Sequence, residues 1–244
     1  MTQPAPQLQQ KFLSMGAALK IPAEKTVASV NESSGEERFV LRNVSWETYE
    51  RLIADLQDQS HFRVCYDHGT MEIMSPSLKQ EIYNRAISDL IRVMTLDLNI
   101  DIINAGSTTL KLKGKKRGAE PDTCFYVRNE ALMHGKTEVD LKNDPPPDVI
   151  FEVDITSGSV NKSLIYAAFG VPELWRYDGK NFRIYQLEGR RYVEAGKSLT
   201  FPWLTAESLA DFMQRTRTEG QSAALRTFRD SLRQQRGRQK KSRK

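Results

Sequence analysis

The chain has 244 residues, of which 39% are hydrophobic and 27% are charged, and its mean hydropathy is −0.55. This length suffices for one large domain or one domain with appendages, and no apolar run approaches the ~18 residues of a membrane span. Cys65 and Cys124 form no CxxC pair and the N-terminus lacks a secretory pattern, so we expect a reducing, cytoplasmic location.

The net charge of +5 is concentrated at the C-terminus. From residue 233 onward there are seven basic residues and no acidic one, so residues 1–232 carry 5 − 7 = −2. A basic segment of this kind fits a nucleic-acid partner. The alternative is a solvated, disordered tail that serves solubility.

The first hundred residues contain two strong helix signals and one hairpin signal. Ser45 is a suitable N-cap, and Ser77 with Gln80 matches the capping-box pattern. The predicted elements are a loosely ordered arm over 1–37 with a short helix near 12–19, a helix over 46–57, a hairpin over 62–74 and a helix over 78–98.

The rest of the chain is predicted to contain short strands, one crossover helix among them, and two helices near the C-terminus. The predicted elements are strands at 100–104, 108–113, 120–127, 149–155, 172–177, 182–187 and 192–193, a helix from Ser159 to Gly170, and helices at 206–214 and 223–234. This order predicts a mixed α/β (α+β) fold with one domain over 38–205, followed by C-terminal helices and a basic tail over 206–244.

Two carboxylates interrupt the apolar strand at 149–155. Three prolines precede this strand, and its composition is typical of a strand buried on both faces. Glu152 and Asp154 point the same way, ~7 Å apart. Burying unpaired like charges costs several kcal/mol each, so a cation, a basic side chain or raised pKa values must neutralise them.

A third acid, Asp122, stands at the start of a neighbouring predicted strand. Converging carboxylates suit hard divalent ions such as Mg²⁺ or Mn²⁺, so we expect Asp122, Glu152 and Asp154 to be metal ligands. Lys162 on the next helix is the candidate for orienting an attacking water, and Glu81 on the long helix is a candidate outer acid. The alternative is a buried ion-pair network without metal, in which Asp154 could pair with Lys162.

A basic segment precedes Asp122, and we expect it to contact phosphates. Its alternative is an ordinary basic turn. The residues are Lys111, Lys113, Lys115, Lys116 and Arg117.

Pro121-Asp122 followed by Glu152-Val153-Asp154 is similar to the PD-(D/E)xK nuclease signature. Together with residues 71–77, 147–153, Tyr166 and 170–175, it resembles the Uma-two family of prokaryotic restriction endonucleases over about 45–190. The resemblance implies an αβββαβ core and a metal-dependent phosphodiesterase site with Asp122 and Glu152 as ligands. Asp154 stands where the signature has lysine, and Lys162 is the candidate replacement.

These patterns lead to a Mg²⁺-dependent endonuclease acting on DNA, with the Val153 carbonyl as an additional metal ligand. A homodimer is possible, because nucleases that cut both strands often dimerise. The competing hypothesis is a degenerate nuclease fold that serves as a DNA-binding or interaction module, and a third is an enzyme acting on RNA.

Overall fold

The structure is a computed structural model that describes residues 26–27, 37–56, 62–155 and 160–242, with side chains described to residue 234. The expected helix near 12–19 and the expected cap Ser159 lie outside these residues, as does most of the expected arm over 1–37.

Twelve strands and five α-helices are found in the described part of the chain. The strands are β1 (Thr26–Val27), β2 (Glu37–Leu41), β3 (Arg63–Asp67), β4 (Thr70–Ser75), β5 (Ile103–Asn104), β6 (Leu110–Leu112), β7 (Arg117–Ala119), β8 (Thr123–Tyr126), β9 (Val149–Val153), β10 (Glu173–Tyr177), β11 (Phe182–Glu188) and β12 (Arg191–Ala195). The helices are α1 (Trp46–Leu56), α2 (Leu78–Leu98), α3 (Lys162–Phe169), α4 (Ala206–Thr218) and α5 (Gln221–Ser242). Short 3₁₀ turns occupy Lys113–Lys115 and Glu130–Met133.

The first sheet has the strand order β1-β2-β4-β3-β7-β6, and all its pairings are antiparallel. Helix α1 begins where the Ser45 hydroxyl accepts the Thr48 backbone N–H at 3.1 Å, as its N-cap position predicts. Its apolar face packs Trp46 and Tyr49 against Tyr66 of β3.

The second sheet has the order β12-β11-β10-β9-β8-β5, and β9 and β10 are its one parallel pair among the described strands. Helices α2, α4 and α5 share an apolar core with one face of this sheet. Helix α3 packs in a separate core on the other face. Apart from β6 and β7, which belong to the first sheet, the elements from α2 to β10 follow the order αβββαβ (α2, β5, β8, β9, α3, β10), so the predicted mixed fold and core order are confirmed.

The chain passes from one sheet to the other at Glu120-Pro121-Asp122. The Glu120 backbone N–H donates to the Val64 carbonyl, and its side chain accepts the Val64 N–H at 2.8 Å, which extends the pairing with β3. Pro121 has no N–H to donate, so the ladder stops there and β8 begins at Thr123 rather than at the predicted residue 120. Asp122 therefore lies immediately before the first residue of β8.

Several local boundaries differ from expectation. Asn161 caps α3, with its side chain accepting the Ser163 N–H at 3.1 Å. The predicted strand 108–113 is shorter, and β7 adds an unpredicted strand beside β3. Helices α4 and α5 extend further than predicted and contribute Leu209, Phe212 and Leu232 to the core. No described helix is both long and apolar enough to cross a membrane.

Candidate active site

The pairing of β8 with β9 brings two buried acids together. Thr123 is paired with Phe151, so the next positions along the two strands are Asp122 and Glu152. Directly opposed residues in an antiparallel pair have Cβ atoms about 4.5–5.5 Å apart. Asp122 is 4% exposed and Glu152 is 3% exposed. Two of the three predicted metal ligands therefore lie side by side.

Asp122 is held by a backbone N–H of β9 and by a side chain of α2. Its Oδ2 accepts the Val153 N–H at 2.7 Å, and its carbonyl accepts from Asn84 Nδ2 at 2.9 Å. Gln80 Nε2 donates to the Val153 carbonyl at 3.5 Å, so α2 braces both strands. Burial raises the pKa of Asp122, although the charge of Lys162 and the Val153 N–H act in the opposite direction.

Glu152 is held by two residues of α3. Lys162 Nζ lies 2.8 Å from Oε2, and the Tyr166 hydroxyl donates a hydrogen bond to Oε1. Positions i and i+4 share one helix face, which explains why both side chains reach one carboxylate. Burial raises the pKa of Glu152 to about 7 even though Lys162 lowers it. For Lys162, burial lowers the pKa, but Glu152 and Asp122 raise it above its ordinary value, so the lysine stays protonated.

Asp154 has a different partner from the one considered in the sequence. It forms an ion pair with Arg176 Nε at 2.5 Å rather than with Lys162. Arg176 lies on β10 directly beside Glu152 in the parallel pairing. The basic residue that neutralises Asp154 thus comes from the neighbouring strand, while the residue that neutralises Glu152 comes from the helix.

A third acid–base pair was missed in the sequence. Glu72 on β4 is 2% exposed and pairs with Arg38 on β2 at 2.5 Å. The signal at 149–155 was a pair of acids on one face of an apolar strand, whereas Glu72 is a single acid in the apolar run 71–74 and gave only part of that signal.

The three acid–base pairs line one cavity of about 350 Å³, which lies between the two sheets and α3. Asp122 does not line this cavity. It lies buried next to Glu152, close enough for its charge to act on Lys162. Acid–base pairs therefore line the cavity, and a fourth carboxylate, that of Asp122, lies buried behind Glu152.

Glu81 lies elsewhere. It stands in the first turn of α2, with its side chain 32% exposed, and pairs with Arg63 at 3.3 Å and Arg85 at 3.7 Å. It is not among the residues that line the cavity.

The basic segment runs from β6 through the following turn to the first residue of β7, and Lys111 is its half-buried first member. Lys113 is 3.9 Å from Glu50, while Lys115 and Lys116 are exposed. Arg117 pairs with Asp67 at 2.8 Å and donates to the Leu164 carbonyl at 3.2 Å. This last contact ties the turn to α3, the helix that carries Lys162.

The donor set can be tested against a hard divalent ion. No group of three or more His, Cys, Asp or Glu suited to a metal occurs among the described residues. Mg²⁺ does not require such a group, because it is usually bound by one or two carboxylates together with waters and substrate phosphate. Asp122 and Glu152 supply two adjacent carboxylates, and burial raises the pKa of both. A cation would offset that burial cost, so these residues fit the ion.

The sheet is mixed and has an αβββαβ order, one acid lies just before β8 and its neighbour on β9, and a lysine from α3 contacts the second acid. This combination defines a protein of the restriction-endonuclease-like class. A family model described as "Putative restriction endonuclease" matches residues 46–212, and the chain belongs to that family, Uma2. The resemblance to the Uma-two family is therefore confirmed.

A crystal structure titled as that of a "putative nuclease" from Anabaena variabilis is also similar to the chain. Its TM-score is 0.42 and its sequence identity 14%, over 62% of this chain and 90% of that one. No curated protein matches the chain.

Proposed function

We propose that the protein is a Mg²⁺-dependent (or Mn²⁺-dependent) endonuclease that hydrolyses phosphodiester bonds of DNA in the cavity between α3 and the two sheets. The observation that carries the proposal is the 2.8 Å contact between Lys162 and Glu152. The signature position of the lysine is occupied by Asp154, and an ammonium nevertheless reaches the second acid from the following helix.

In this proposal Asp122 and Glu152 would hold the metal ion, with the Val153 carbonyl as an additional ligand, and the ion when bound would polarise a phosphoryl oxygen. Asp154 is proposed as an additional ligand, although its carboxylate is engaged with Arg176. The hydroxyl of Tyr166 fixes the orientation of the Glu152 carboxylate.

Lys162 is protonated, so it acts as a hydrogen-bond donor and not as a base. It orients the water and stabilises negative charge that develops on the phosphate oxygens. Hydrolysis joins the water oxygen to phosphorus and breaks one P–O bond. A water proton goes to solvent, and the leaving sugar oxygen takes up a proton.

The exposed side chains of Lys115 and Lys116 are the proposed contacts for the DNA backbone near this cavity, together with Lys111. Lys113 and Arg117 already have acidic partners, so their proposed part is to hold the turn against α1 and β3. Glu81 is a proposed outer acid that would act through Arg63.

The test uses Asp122→Asn and Glu152→Gln in a plasmid-nicking assay with Mg²⁺ or Mn²⁺, after circular dichroism has shown that the variants are folded. We expect each variant to lose about 10²–10³-fold in rate, the scale of losing a main electrostatic contribution. Glu138→Gln, at an exposed glutamate of the 128–147 connection, is the matched control and should cleave like the wild type. Wild-type rates in both site variants would refute the assignment, and an RNA substrate in parallel reactions would separate the two nucleic acids.

The second candidate is a degenerate fold that binds DNA without cutting it. It is favoured by the pairing of every cavity-lining acid with a basic side chain, since such pairs are stable without metal. Titration calorimetry with Mn²⁺ distinguishes the two candidates. No heat of binding and no cleavage, with DNA binding intact, would support the module. Size-exclusion chromatography of the protein bound to DNA would show whether two copies of the chain assemble on it.

A further inference from the structure

A second cavity of about 200 Å³ opens beside the proposed active site. It lies between the first turns of α3 and the hairpin formed by β11 and β12. Ser163 and Arg176 line both cavities, so the two are neighbours along one surface. Apart from the shared Arg176, which pairs with Asp154, the residues that line the second cavity take no part in the proposed cleavage chemistry.

The sheet register shows why the two cavities share a face. Arg176 is paired with Glu152 on β9, and Leu174, two residues earlier on the same strand, is paired with Tyr185 on β11. Residues two apart on a strand share a face, and so do directly opposed residues. Tyr185 therefore lies on the same face of the sheet as Glu152, one strand beyond Arg176.

A second tyrosine stands beside the first. Tyr192 is paired with Leu187, two residues along β11 from Tyr185, so it lies on the same face. Its hydroxyl donates to the Val171 carbonyl at 2.9 Å, which fixes the ring in place. Both tyrosines are half-buried and line the second cavity, so one wall of this cavity is aromatic.

The outer rim of this cavity is cationic. Arg190 and Arg191 are exposed at the tip of the β11–β12 hairpin, and both line the cavity. Neither forms an ion pair within the described part of the chain. Exposed guanidinium groups beside an aromatic wall suit a ligand that has both a planar ring and a phosphate.

We propose that this groove, formed by Tyr185, Arg190, Arg191 and Tyr192, binds an unpaired nucleotide of the substrate strand next to the scissile phosphodiester. Its base packs against the tyrosines, and its phosphate is held by the two arginines. The assignment rests on the proposed function, because it takes the neighbouring cavity as the place of cleavage. It adds that the substrate must present a base that is single-stranded or flipped out of a duplex, since only an unstacked base offers its face to an aromatic side chain.

The test measures fluorescence anisotropy of a short labelled single-stranded oligonucleotide with the full-length protein in EDTA, which keeps metal-dependent cleavage from interfering. The double variant Arg190→Ala/Arg191→Ala should bind on the order of tenfold more weakly, and its salt slope should fall by about 0.7, the value for one lost phosphate contact on a single strand. The matched control is Arg92→Ala/Arg226→Ala on α2 and α5, which pack against the opposite face of the sheet and whose two arginines are exposed.

A second variant tests whether the base packs against the tyrosines. Tyr185→Leu keeps the apolar packing and should weaken binding of the normal oligonucleotide on the order of tenfold. It should leave unchanged the binding of an oligonucleotide that is abasic throughout. Unchanged affinity in the arginine double variant would overturn the proposal, and equal losses on normal and abasic strands would overturn its base-stacking part. If the arginine and tyrosine variants behave as expected while the wild type cleaves nothing with Mg²⁺, the proposed function fails and the groove stands.

Discussion

Replacing Lys162 with methionine removes the cation beside Glu152 while keeping most of the length of the side chain. Glu152 has an ordinary pKa of 4.5, and burial raises its pKa in the folded protein to about 7. The folded state therefore binds a proton more tightly than the unfolded state. In the wild type, stability should fall as pH rises from about 4.5 to 7 and then level off, as far as this group is concerned.

Lys162 lowers the pKa of Glu152, so its loss must move that pKa above 7. The levelling-off then shifts to higher pH, and the variant continues to lose about 1.4 kcal/mol for each further pH unit. Below pH 7 both proteins have a protonated Glu152 and the difference due to this group is small. Near pH 9, two units above, the variant should be less stable than the wild type by up to about 3 kcal/mol.

Urea unfolding followed by tryptophan fluorescence in EDTA, at about pH 6 and about pH 9, measures this difference. Lys180→Met is the control, because Lys180 is exposed on the turn between β10 and β11. Added Mg²⁺ should restore more stability to the Lys162 variant than to the wild type, since the ion replaces the missing charge at Glu152. A destabilisation that is the same at both pH values would refute the ion pairing of Lys162 with an ionised Glu152.

Two further predictions concern parts of the chain outside the cavity. Glu173 is fully buried, and its carboxylate accepts hydrogen bonds from the Trp175 indole at 2.6 Å and from the backbone N–H groups of Leu199 and Thr200 at 3.1 and 2.8 Å. Glu173→Gln should lower the free energy of unfolding in urea by about 2–4 kcal/mol, because an amide nitrogen cannot accept these hydrogen bonds. An unfolding midpoint equal to that of the wild type would contradict this role. Deleting residues 235–244 removes six basic residues and should lower the salt slope of duplex DNA binding by up to about 5, while an unaltered slope would assign the tail to solubility.

Local signals predicted the elements that carry the site. The capping box is formed as expected, with the Ser77 hydroxyl accepting the Gln80 N–H and the Gln80 side chain accepting the Ser77 N–H. The apolar run interrupted by Glu152 is a strand buried along its whole length. These features depend on neighbours within four residues, and a single sequence contains that information.

Long-range partners could not be predicted in the same way. The partner of Asp154 is Arg176, 22 residues away in the sequence. The partner of Glu72 is Arg38 on β2, the strand that pairs with β4. Such contacts depend on strand order and register, which alternation alone does not specify. Glu81 shows the same limit on a helix, because its position beside the apolar stripe fits either a site-facing or an arginine-paired side chain, and the structure has the latter.

The charges of the residues in and behind the cavity bear directly on the proposed metal ion. Four acids, Glu72, Asp122, Glu152 and Asp154, stand with three bases, Arg38, Lys162 and Arg176, so full ionisation leaves a net charge of 3 − 4 = −1. A phosphodiester adds a further negative charge, and burying it against this site is unfavourable without a compensating cation. One divalent ion changes the site from −1 to +1, and the phosphodiester then brings it to zero. The same arithmetic explains how Asp154 can occupy the signature position of the lysine, because Arg176 cancels its charge and Lys162 restores the ammonium beside Glu152.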